Sequence, residues 1–258
     1  MAKMLKTIVA GPLVLQTIYP VISVKDPDGV RAGKRNLSSE AQVRMNLKYA
    51  HQKLELEMAA NFRKGDIVAT LTYDDDHLPR SRREAMRRVQ RFWRKLRAKR
   101  GVSVDLRYVY VTEHKHKHER KYEDGRWHHH ALINSTGDDY AVILSSWGYG
   151  MVDMHPFRVD REKNFETLAR YFCKEQRDMV GQRLWSCSRN LKKPEPDSRR
   201  VGNDVELTVP EGATVLMDTG DVRTAYGHYR FVKYLAKGWT TGSAPRARRK
   251  RRRKPPRS

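Results

Sequence analysis

Two histidines in one apolar segment have the spacing of a metal-binding pair. His128 and His130 lie in Trp127–Asn134, whose sequence WHHHALIN is typical of a β-strand. Because side chains alternate between the two faces of a strand, these two imidazoles leave one face and His129 leaves the other. Two imidazoles that share a face at this spacing can chelate a divalent cation.

An acidic residue at the end of the preceding predicted strand can complete the ligand set. That strand, Leu106–Glu113, would bring the Glu113 carboxylate to the two imidazoles if the strands pair as a hairpin. Two nitrogen ligands and one oxygen ligand leave coordination positions for water or a phosphate oxygen, which suits a catalytic metal more than a structural one. The alternative for an isolated His-x-His pair is two structural histidines in the core or on the surface.

A tyrosine and a lysine share one face of a later predicted helix, 164–180. Tyr171 and Lys174 are three residues apart, which places them side by side on a helix. A phenol has an ordinary pKa of about 10 and is a poor nucleophile at neutral pH. A neighbouring ammonium group and a metal ion would favour the phenolate and offset the charge of an attacked phosphate. The alternative is a tyrosine at the edge of the core beside a solvated lysine.

Strands and helices alternate along the middle of the chain, and they must bring these residues together. The predicted strands are 66–73, 106–113, 127–134 and 151–157, and the predicted helices are 39–60, 81–100, a short one ending near Gly148, and 164–180. This order predicts an α+β domain with a central antiparallel β-sheet and helices packed on one face. The other face of the sheet would be open for chemistry.

The helix predicted over 81–100 has an arginine-rich face. Its start is indicated by Ser81 and Glu84, which have the spacing of a capping box. Seven arginines, nearly free of acidic neighbours, lie away from its apolar residues, which favours phosphate contacts over a merely solvated face. We therefore predict that four of the seven, together with one arginine next to the histidines, bind DNA: Arg83, Arg87, Arg91, Arg94 and Arg126.

The charge of the chain indicates a nucleic-acid partner. The 258 residues include 53 Lys or Arg and 30 Asp or Glu, a net charge of +23. Residues 245–258 contribute nine of these charges, so the rest of the chain still carries +14. A basic body favours a polyanion, and the lack of a long apolar span or a lipidation motif argues against a membrane partner.

The cysteine content predicts a reducing compartment. Cys173 and Cys187 are too few for a disulfide framework or a cysteine-ligated zinc site. The apolar stretch near the start of the chain is interrupted by Gly11 and Pro12, which argues against a signal peptide.

The sequence divides into four predicted segments. Residues 1–37 form a β-like N-terminal extension, and residues 38–195, with the leading helix 39–60, form the domain that carries the candidate residues. A Pro-rich segment after Lys192 marks the boundary to a small, mostly β appendage over 196–240. Residues 241–258 are predicted to be a disordered basic tail, because they lack the apolar residues that a core requires.

Three motifs, in this order, resemble those of a known enzyme superfamily over roughly residues 40–195. They are Thr70-Leu71-Thr72-Tyr73, the strand end Thr112-Glu113 with the segment GRWHHH at 125–130, and Tyr171-Phe172-Cys173-Lys174. The chain resembles the rolling-circle replication initiators of the His-hydrophobic-His endonuclease superfamily. In particular, it resembles the phage and plasmid replication-associated proteins related to the filamentous-phage gene II protein. The resemblance implies their ferredoxin-like, RNA-recognition-motif-like fold.

The resemblance also implies a role for each candidate residue. His128 and His130 resemble the metal-binding pair and Glu113 resembles its third ligand, with Mg²⁺ or Mn²⁺ as the cofactor. Tyr171 resembles the nucleophile, and Lys174 resembles the lysine of the Tyr-x-x-Lys motif. The implied reaction nicks single-stranded DNA at an origin, forms a 5′-phosphotyrosine intermediate, releases a 3′-hydroxyl primer and allows strand rejoining. The implied partners are origin DNA and a host helicase and DNA polymerase, with no small-molecule substrate, in the cytoplasm of a bacterial host.

The sequence departs from the pattern of the superfamily and leaves alternatives open. His129 stands where a bulky hydrophobic residue is usual, which leaves the register of the metal pair open by one residue. A relaxase or single-tyrosine transposase would use the same chemistry on other DNA. A non-catalytic DNA- or RNA-binding module would use a similar architecture without a metal. A histidine-ligated metallohydrolase would act through water and form no covalent adduct.

Overall fold

The computed structural model describes residues 3–21, 40–101, 103–115, 125–137, 139–158, 165–173, 184–224 and 227–237. Several predicted features lie outside the described residues: the last part of the N-terminal extension (22–37), residues 174–180 of the helix predicted over 164–180, which include Lys174, and the basic tail (241–258). The strand predicted for 151–157 and the helix predicted for 81–100 both fall within the described ranges.

Eleven strands and four α-helices form within the described ranges. The strands are β1 (Lys3–Ala10), β2 (Leu13–Pro20), β3 (Ile67–Thr72), β4 (Tyr108–Lys115), β5 (Arg126–Ile133), β6 (Val152–Pro156), β7 (Ser186–Cys187), β8 (Pro196–Val201), β9 (Thr214–Asp218), β10 (Val222–Thr224) and β11 (Gly227–Leu235). The helices are α1 (Glu40–Asn61), α2 (Arg82–Arg100), α3 (Tyr140–Trp147) and α4 (Glu166–Cys173). The predicted α+β class is confirmed.

The central sheet has five antiparallel strands in the order β6-β3-β5-β4-β7. β4 and β5 pair as predicted, and the register places Glu113 opposite His128. β3 pairs with the other side of β5 and places Thr70 opposite His130. The pairing therefore puts the ends of three neighbouring strands around the two histidines.

One face of this central sheet is covered by α2 and α3. α2 begins at Ser81, whose hydroxyl accepts a hydrogen bond from the Glu84 N–H at 3.3 Å, as the capping-box pattern predicts. The buried side of α2 and the indole of Trp147 from α3 pack on alternate residues of β3, β4 and β5. The core between these helices and the sheet is rich in aromatic residues, such as Phe92, Trp93 and Trp147.

The other face of the central sheet is also covered, so the prediction of helices on one face only is wrong. Phe172 and Cys173 of α4 and Leu54 and Met58 of α1 join one apolar cluster with the residues that the sheet presents there, Val68, Val109, Val111 and Leu132. The physical reason is that the central strands are apolar on both faces over most of their length, so each face must be buried. Near the histidines this second face carries polar residues, among them Thr70 and Glu113.

The two ends of the described chain meet in a second antiparallel sheet with the order β10-β11-β2-β1-β8, in which β9 also pairs with β11. β11 pairs with β2 along six residues, from Arg230 opposite Ile18 to Leu235 opposite Leu13. The segments predicted as a separate N-terminal extension and C-terminal appendage therefore share one sheet. The four-segment division of the chain stays a prediction.

A buried ion cluster attaches this second sheet to the helices. Nζ of Lys233 in β11 forms ion pairs with Oε1 of Glu55 in α1 and Oε2 of Glu166 in α4, each at 2.7 Å, and the Lys233 side chain is 6% exposed. Burial alone would lower the pKa of Lys233, but the charges of the two carboxylates and their hydrogen bonds raise it above its ordinary value. Lys233 is therefore a buried cation that joins three elements.

No helix within the described ranges is both long and apolar enough to span a membrane.

Candidate active site

Three potential metal ligands meet on the face of the central sheet that α4 covers. Nε2 of His128 lies 3.4 Å from Oε2 of Glu113, and Nε2 of His130 lies 3.6 Å from the same oxygen. One ligand atom from each residue lies within 4.8 Å of the other two. Exposure of the three side chains is 12% or less, so the structure holds them in fixed positions. We call these three residues the triad.

Hydrogen bonds on the far side of each ring orient the two imidazoles. Nδ1 of His130 lies 3.1 Å from the Thr70 hydroxyl, and Nδ1 of His128 lies 3.4 Å from the backbone carbonyl of Arg126. A proton on each Nδ1 satisfies these oxygens and leaves both Nε2 lone pairs facing the centre of the triad. Thr70 belongs to the first of the three motifs, but only the strand register reveals its contact with His130.

Tyr171 borders the triad from α4. Its hydroxyl lies 3.0 Å from Nε2 of His130, and the two rings contact with their centroids 4.9 Å apart. α4 buries Ala169, Phe172 and Cys173 in the core. Tyr171 therefore lies at the edge of the helix and is 46% exposed. Tyr171 therefore combines contact with the triad and access from solvent, as a nucleophile that attacks a polymer requires.

His129 lies on the opposite face of the sheet and takes no part in the triad. It is fully buried, with Nε2 2.8 Å from the Tyr73 hydroxyl and Nδ1 2.8 Å from the Thr112 hydroxyl. Burial, with smaller effects from the two adjacent histidines, lowers the pKa of His129 to about 3. His129 is thus a neutral core residue in the place of a hydrophobic one, and the two histidines that share the face of Glu113 are His128 and His130.

The predicted DNA-binding arginines divide between two places. Arg126 is exposed beside the triad, and its guanidinium pairs with Asp75 in the loop after β3. Arg83, Arg87, Arg91 and Arg94 are exposed on α2. Since α2 packs on the face that holds His129, these four arginines lie on the other side of the sheet from the triad. The structure brings together Glu113, His128, His130 and Tyr171, but not the α2 arginines.

The donor set of the triad can hold a divalent cation. Imidazole nitrogens suit first-row transition metals, and Mg²⁺ takes a carboxylate and keeps several water or phosphate ligands. Three protein ligands leave the remaining positions to such oxygens. Cys173, which neighbours this region, supplies no thiolate, because burial and then the charge of Glu113 raise its pKa to about 12.

Fold and site together define an α+β protein with a candidate divalent-cation centre beside an exposed tyrosine. Residues 66–176 match the family model of the replication-associated proteins of the ORF2 and gene II protein type. This segment starts just before β3 and contains Glu113, His128, His130, Tyr171 and Lys174. The resemblance to phage and plasmid replication-associated proteins is thereby confirmed, and it supports a role in DNA replication. Comparison with curated proteins and comparison with solved structures gave no match.

Proposed function

We propose that this protein initiates rolling-circle replication by nicking single-stranded origin DNA with Tyr171 as the nucleophile. The observation that carries the proposal is the 3.0 Å contact between the Tyr171 hydroxyl and His130, one of the three triad residues. An anionic phosphate bound at the triad would lie next to the phenol oxygen. The match of residues 66–176 to a replication-associated family supports DNA as the polymer.

Glu113, His128 and His130 would hold Mg²⁺ or Mn²⁺ at this centre. When bound, the cation supplies positive charge that polarises the scissile phosphate and offsets the charge that develops on it. Thr70 and the Arg126 carbonyl keep the imidazoles in place, so the chain itself provides a preorganised cradle for the phosphate. α4 presents the phenol from the side that remains open to the DNA strand.

The proposed reaction exchanges one phosphate ester for another. The Tyr171 oxygen gives up its proton and bonds to phosphorus, the bond between phosphorus and the 3′ oxygen breaks, and that oxygen takes up a proton. The products are a 5′-phosphotyrosine and a free 3′-hydroxyl that can prime synthesis. The covalent intermediate keeps the ester bond energy, so a 3′-hydroxyl can later reverse the step and rejoin a strand. We assign to Lys174 the neutralisation of charge beside Tyr171.

The experiment is an adduct assay with labelled single-stranded oligonucleotides that tile the replication origin of the element that encodes the protein. The protein is incubated with Mn²⁺ and the products are separated on denaturing gels. We expect an oligonucleotide–protein adduct that disappears with a chelator and in Tyr171→Phe. The matched control is Tyr49→Phe, because Tyr49 is similarly exposed, at 57%, and lies on α1.

Each alternative function gives a different result in this assay. Cleavage without an adduct in the wild type would replace the proposal with a metallohydrolase that acts through water. Metal-independent binding without cleavage on any oligonucleotide would favour a non-catalytic module. Adduct formation that requires transfer-origin or transposon-end DNA would assign the same chemistry to a relaxase or a transposase.

A further inference from the structure

The outer face of α2 is a basic surface that the triad chemistry does not use. α2 has ten basic residues and one acidic residue, Glu84, which already pairs with Arg88 at 2.6 Å. The side chains that the helix buries against the sheet are spaced at helical intervals, at Ala85, Val89, Phe92 and Leu96. Exposed arginines occupy the opposite side, at positions 83, 87, 91 and 94, and we call them the arginine strip.

The arginine strip is straight and regularly spaced. Its members follow one another at intervals of four, four and three residues, so they stay on one side of a helix with 3.6 residues per turn. Eleven steps from position 83 to position 94, at a rise of 1.5 Å each, give a strip about 16 Å long. One strand of duplex DNA places about five phosphates along this length of its axis. An open hollow of about 510 Å³ lies beside the first half of the strip, lined by Arg82, Arg83, Met86, Arg87 and Gln90.

The strip lacks the second feature of single-strand sites. Proteins that bind single strands combine a basic groove with exposed aromatic rings on which the bases stack. In α2 both aromatic residues, Phe92 and Trp93, are buried against the sheet. The helix that carries the strip therefore offers charge to a phosphate backbone and no exposed aromatic ring of its own to unpaired bases.

The position of the strip separates it from the proposed cleavage chemistry. The triad and Tyr171 lie on the α4 face of the central sheet, and the strip points away from the α2 face. A nucleotide at the triad cannot contact the strip, since the sheet and α2 lie between them. Any DNA on the strip is therefore a different part of the substrate from the phosphate that is cut.

We propose that the arginine strip is a second DNA-binding surface, which holds the backbone of double-stranded DNA independently of the metal and of Tyr171. This inference rests on the proposed function for its choice of DNA as the polyanion. On this proposal, the α2 side of the sheet binds duplex DNA through the charges of the arginine strip. The α4 side binds a single strand at the triad, where Tyr171 cleaves it.

The test measures duplex binding in chelator as a function of salt. Each phosphate contact contributes about −0.9 to the slope of log K against log salt concentration, so four arginines contribute about −3.6. We expect the four-site variant Arg83→Gln, Arg87→Gln, Arg91→Gln, Arg94→Gln to bind duplex more weakly, with a slope shallower by about 3 to 4. The corresponding four Arg→Lys substitutions should keep most of the wild-type slope.

The matched control removes the same charge from another exposed region, at Lys192, Lys193, Arg199 and Arg200. We expect this control to change the slope by less than about 1. An unchanged slope in the strip variant, or an equal loss in the control, would overturn the proposal. So would an equal loss of affinity for a single strand of the same length. Binding of the wild type to phosphatidylserine vesicles but not to duplex would instead assign the strip to a membrane.

Two further measurements keep this result separate from the proposed function. Tyr171→Phe should retain wild-type duplex binding, and the strip variant should still form an adduct on a short single-stranded oligonucleotide. Adduct failure in the wild type would refute the cleavage proposal while leaving duplex binding to be decided by the salt slopes. If the four-site variant does not fold, two double variants replace it: Arg83→Gln with Arg87→Gln, and Arg91→Gln with Arg94→Gln. Each should make the salt slope shallower by about 2.

Discussion

Three consecutive histidines of β5 experience opposite environments on the two faces of the central sheet. On the α4 face, His128 and His130 converge with Glu113 near an exposed tyrosine. On the α2 face, His129 is fully buried among aromatic rings, 5.7 Å from the Trp147 ring and 6.5 Å from the Tyr110 ring. Both nitrogens of His129 are occupied by protein hydroxyls, whereas both flanking histidines direct Nε2 toward a carboxylate.

The difference shows that the role of a histidine here depends on the face and not on the residue type. The α2 face holds its histidine neutral through burial and two hydroxyl partners, which is a stability function. The α4 face orients both Nε2 atoms toward Glu113, which suits the proposed metal site. Substitutions on the α4 face should therefore change metal binding, and those on the α2 face should change stability.

The largest expected effect is the loss of the triad carboxylate. Glu113→Gln removes the only charged ligand of the triad, so we expect metal affinity to collapse and adduct formation to fall at least about 10³-fold. The melting temperature in chelator should not decrease. Mn²⁺ titration and the adduct assay measure these effects, and Glu195→Gln, at an exposed position, is the control. If Glu113→Gln binds Mn²⁺ with wild-type affinity, the triad is not the metal site.

The two faces also hold their helices differently, which Lys233→Met tests. Both α2 and α4 bury apolar residues, such as Phe92 and Phe172, but α4 is in addition tied to the second sheet by the ion pair between Glu166 and Lys233. Removing the lysine leaves carboxylates buried without their cation, so we expect a loss of about 3 to 5 kcal/mol in the free energy of unfolding. Chemical denaturation measures it, and Lys192→Met, at an exposed lysine, should change stability by less than about 0.5 kcal/mol.

The stabilisation by Lys233 should depend on pH in both directions. Its raised pKa makes its contribution complete below the ordinary value of 10.5, and that contribution is lost as the pH rises through the folded-state pKa. For Glu166, burial alone would raise the pKa, but Lys233 and then Arg170 lower it. The contribution of Glu166 is therefore complete above 4.5 and is lost as the pH falls through its folded-state pKa.

The stability difference between wild type and Lys233→Met should thus be largest between about pH 5 and pH 10. Denaturation curves at several pH values measure this difference. Glu55 and Arg170 also face this cluster, and Glu166→Gln should flatten the acid limb of the profile and weaken the alkaline limb, to which Glu55 still contributes. A difference that is constant from pH 3 to pH 11 would refute an ionic origin.

Leucine substitutions at adjacent positions test the comparison directly. His129→Leu places an apolar residue in the aromatic core but leaves the Tyr73 and Thr112 hydroxyls without their partner, so we expect a loss of about 2 kcal/mol and normal Mn²⁺ affinity. His128→Leu should abolish Mn²⁺ binding with little change in stability. If both variants lose Mn²⁺ affinity to the same extent, the assignment of metal binding to the α4 face alone is wrong.

The smallest expected effects come from two threonines that occupy equivalent positions on the two faces. Thr70 contacts Nδ1 of His130 and Thr112 contacts Nδ1 of His129. Thr70→Val should lower metal affinity about 10-fold to 100-fold, because the partner that orients the ligand is lost. Thr112→Val should leave metal affinity unchanged and lower stability by about 1 kcal/mol. Loss of metal affinity in Thr112→Val and not in Thr70→Val would contradict the assignment of metal binding to the α4 face.

Local patterns predicted most of the elements that carry the candidate site. The two-residue period of a strand assigned His128 and His130 to one face, and the structure agrees because the pleat depends only on the backbone. The spacing of Ser81 and Glu84 placed the start of α2, since a cap satisfies backbone groups within one turn. The motif order also pointed to Tyr171 before its contact with His130 was known.

Other features depend on contacts between distant parts of the chain, which no local pattern reports. The apolar content of β3 and β5 did not reveal that both faces are covered, because a buried strand and a half-buried strand differ only in what packs on them. The pairing of β2 with β11, the Lys233 cluster and the Thr70–His130 contact join residues 60 or more positions apart. Separation of the arginine strip from the triad follows from the same long-range packing. The sequence by itself determined which residues share a strand face or a helix face. Only the tertiary structure decided which faces meet, because strand register and helix docking are set by the burial of all faces together.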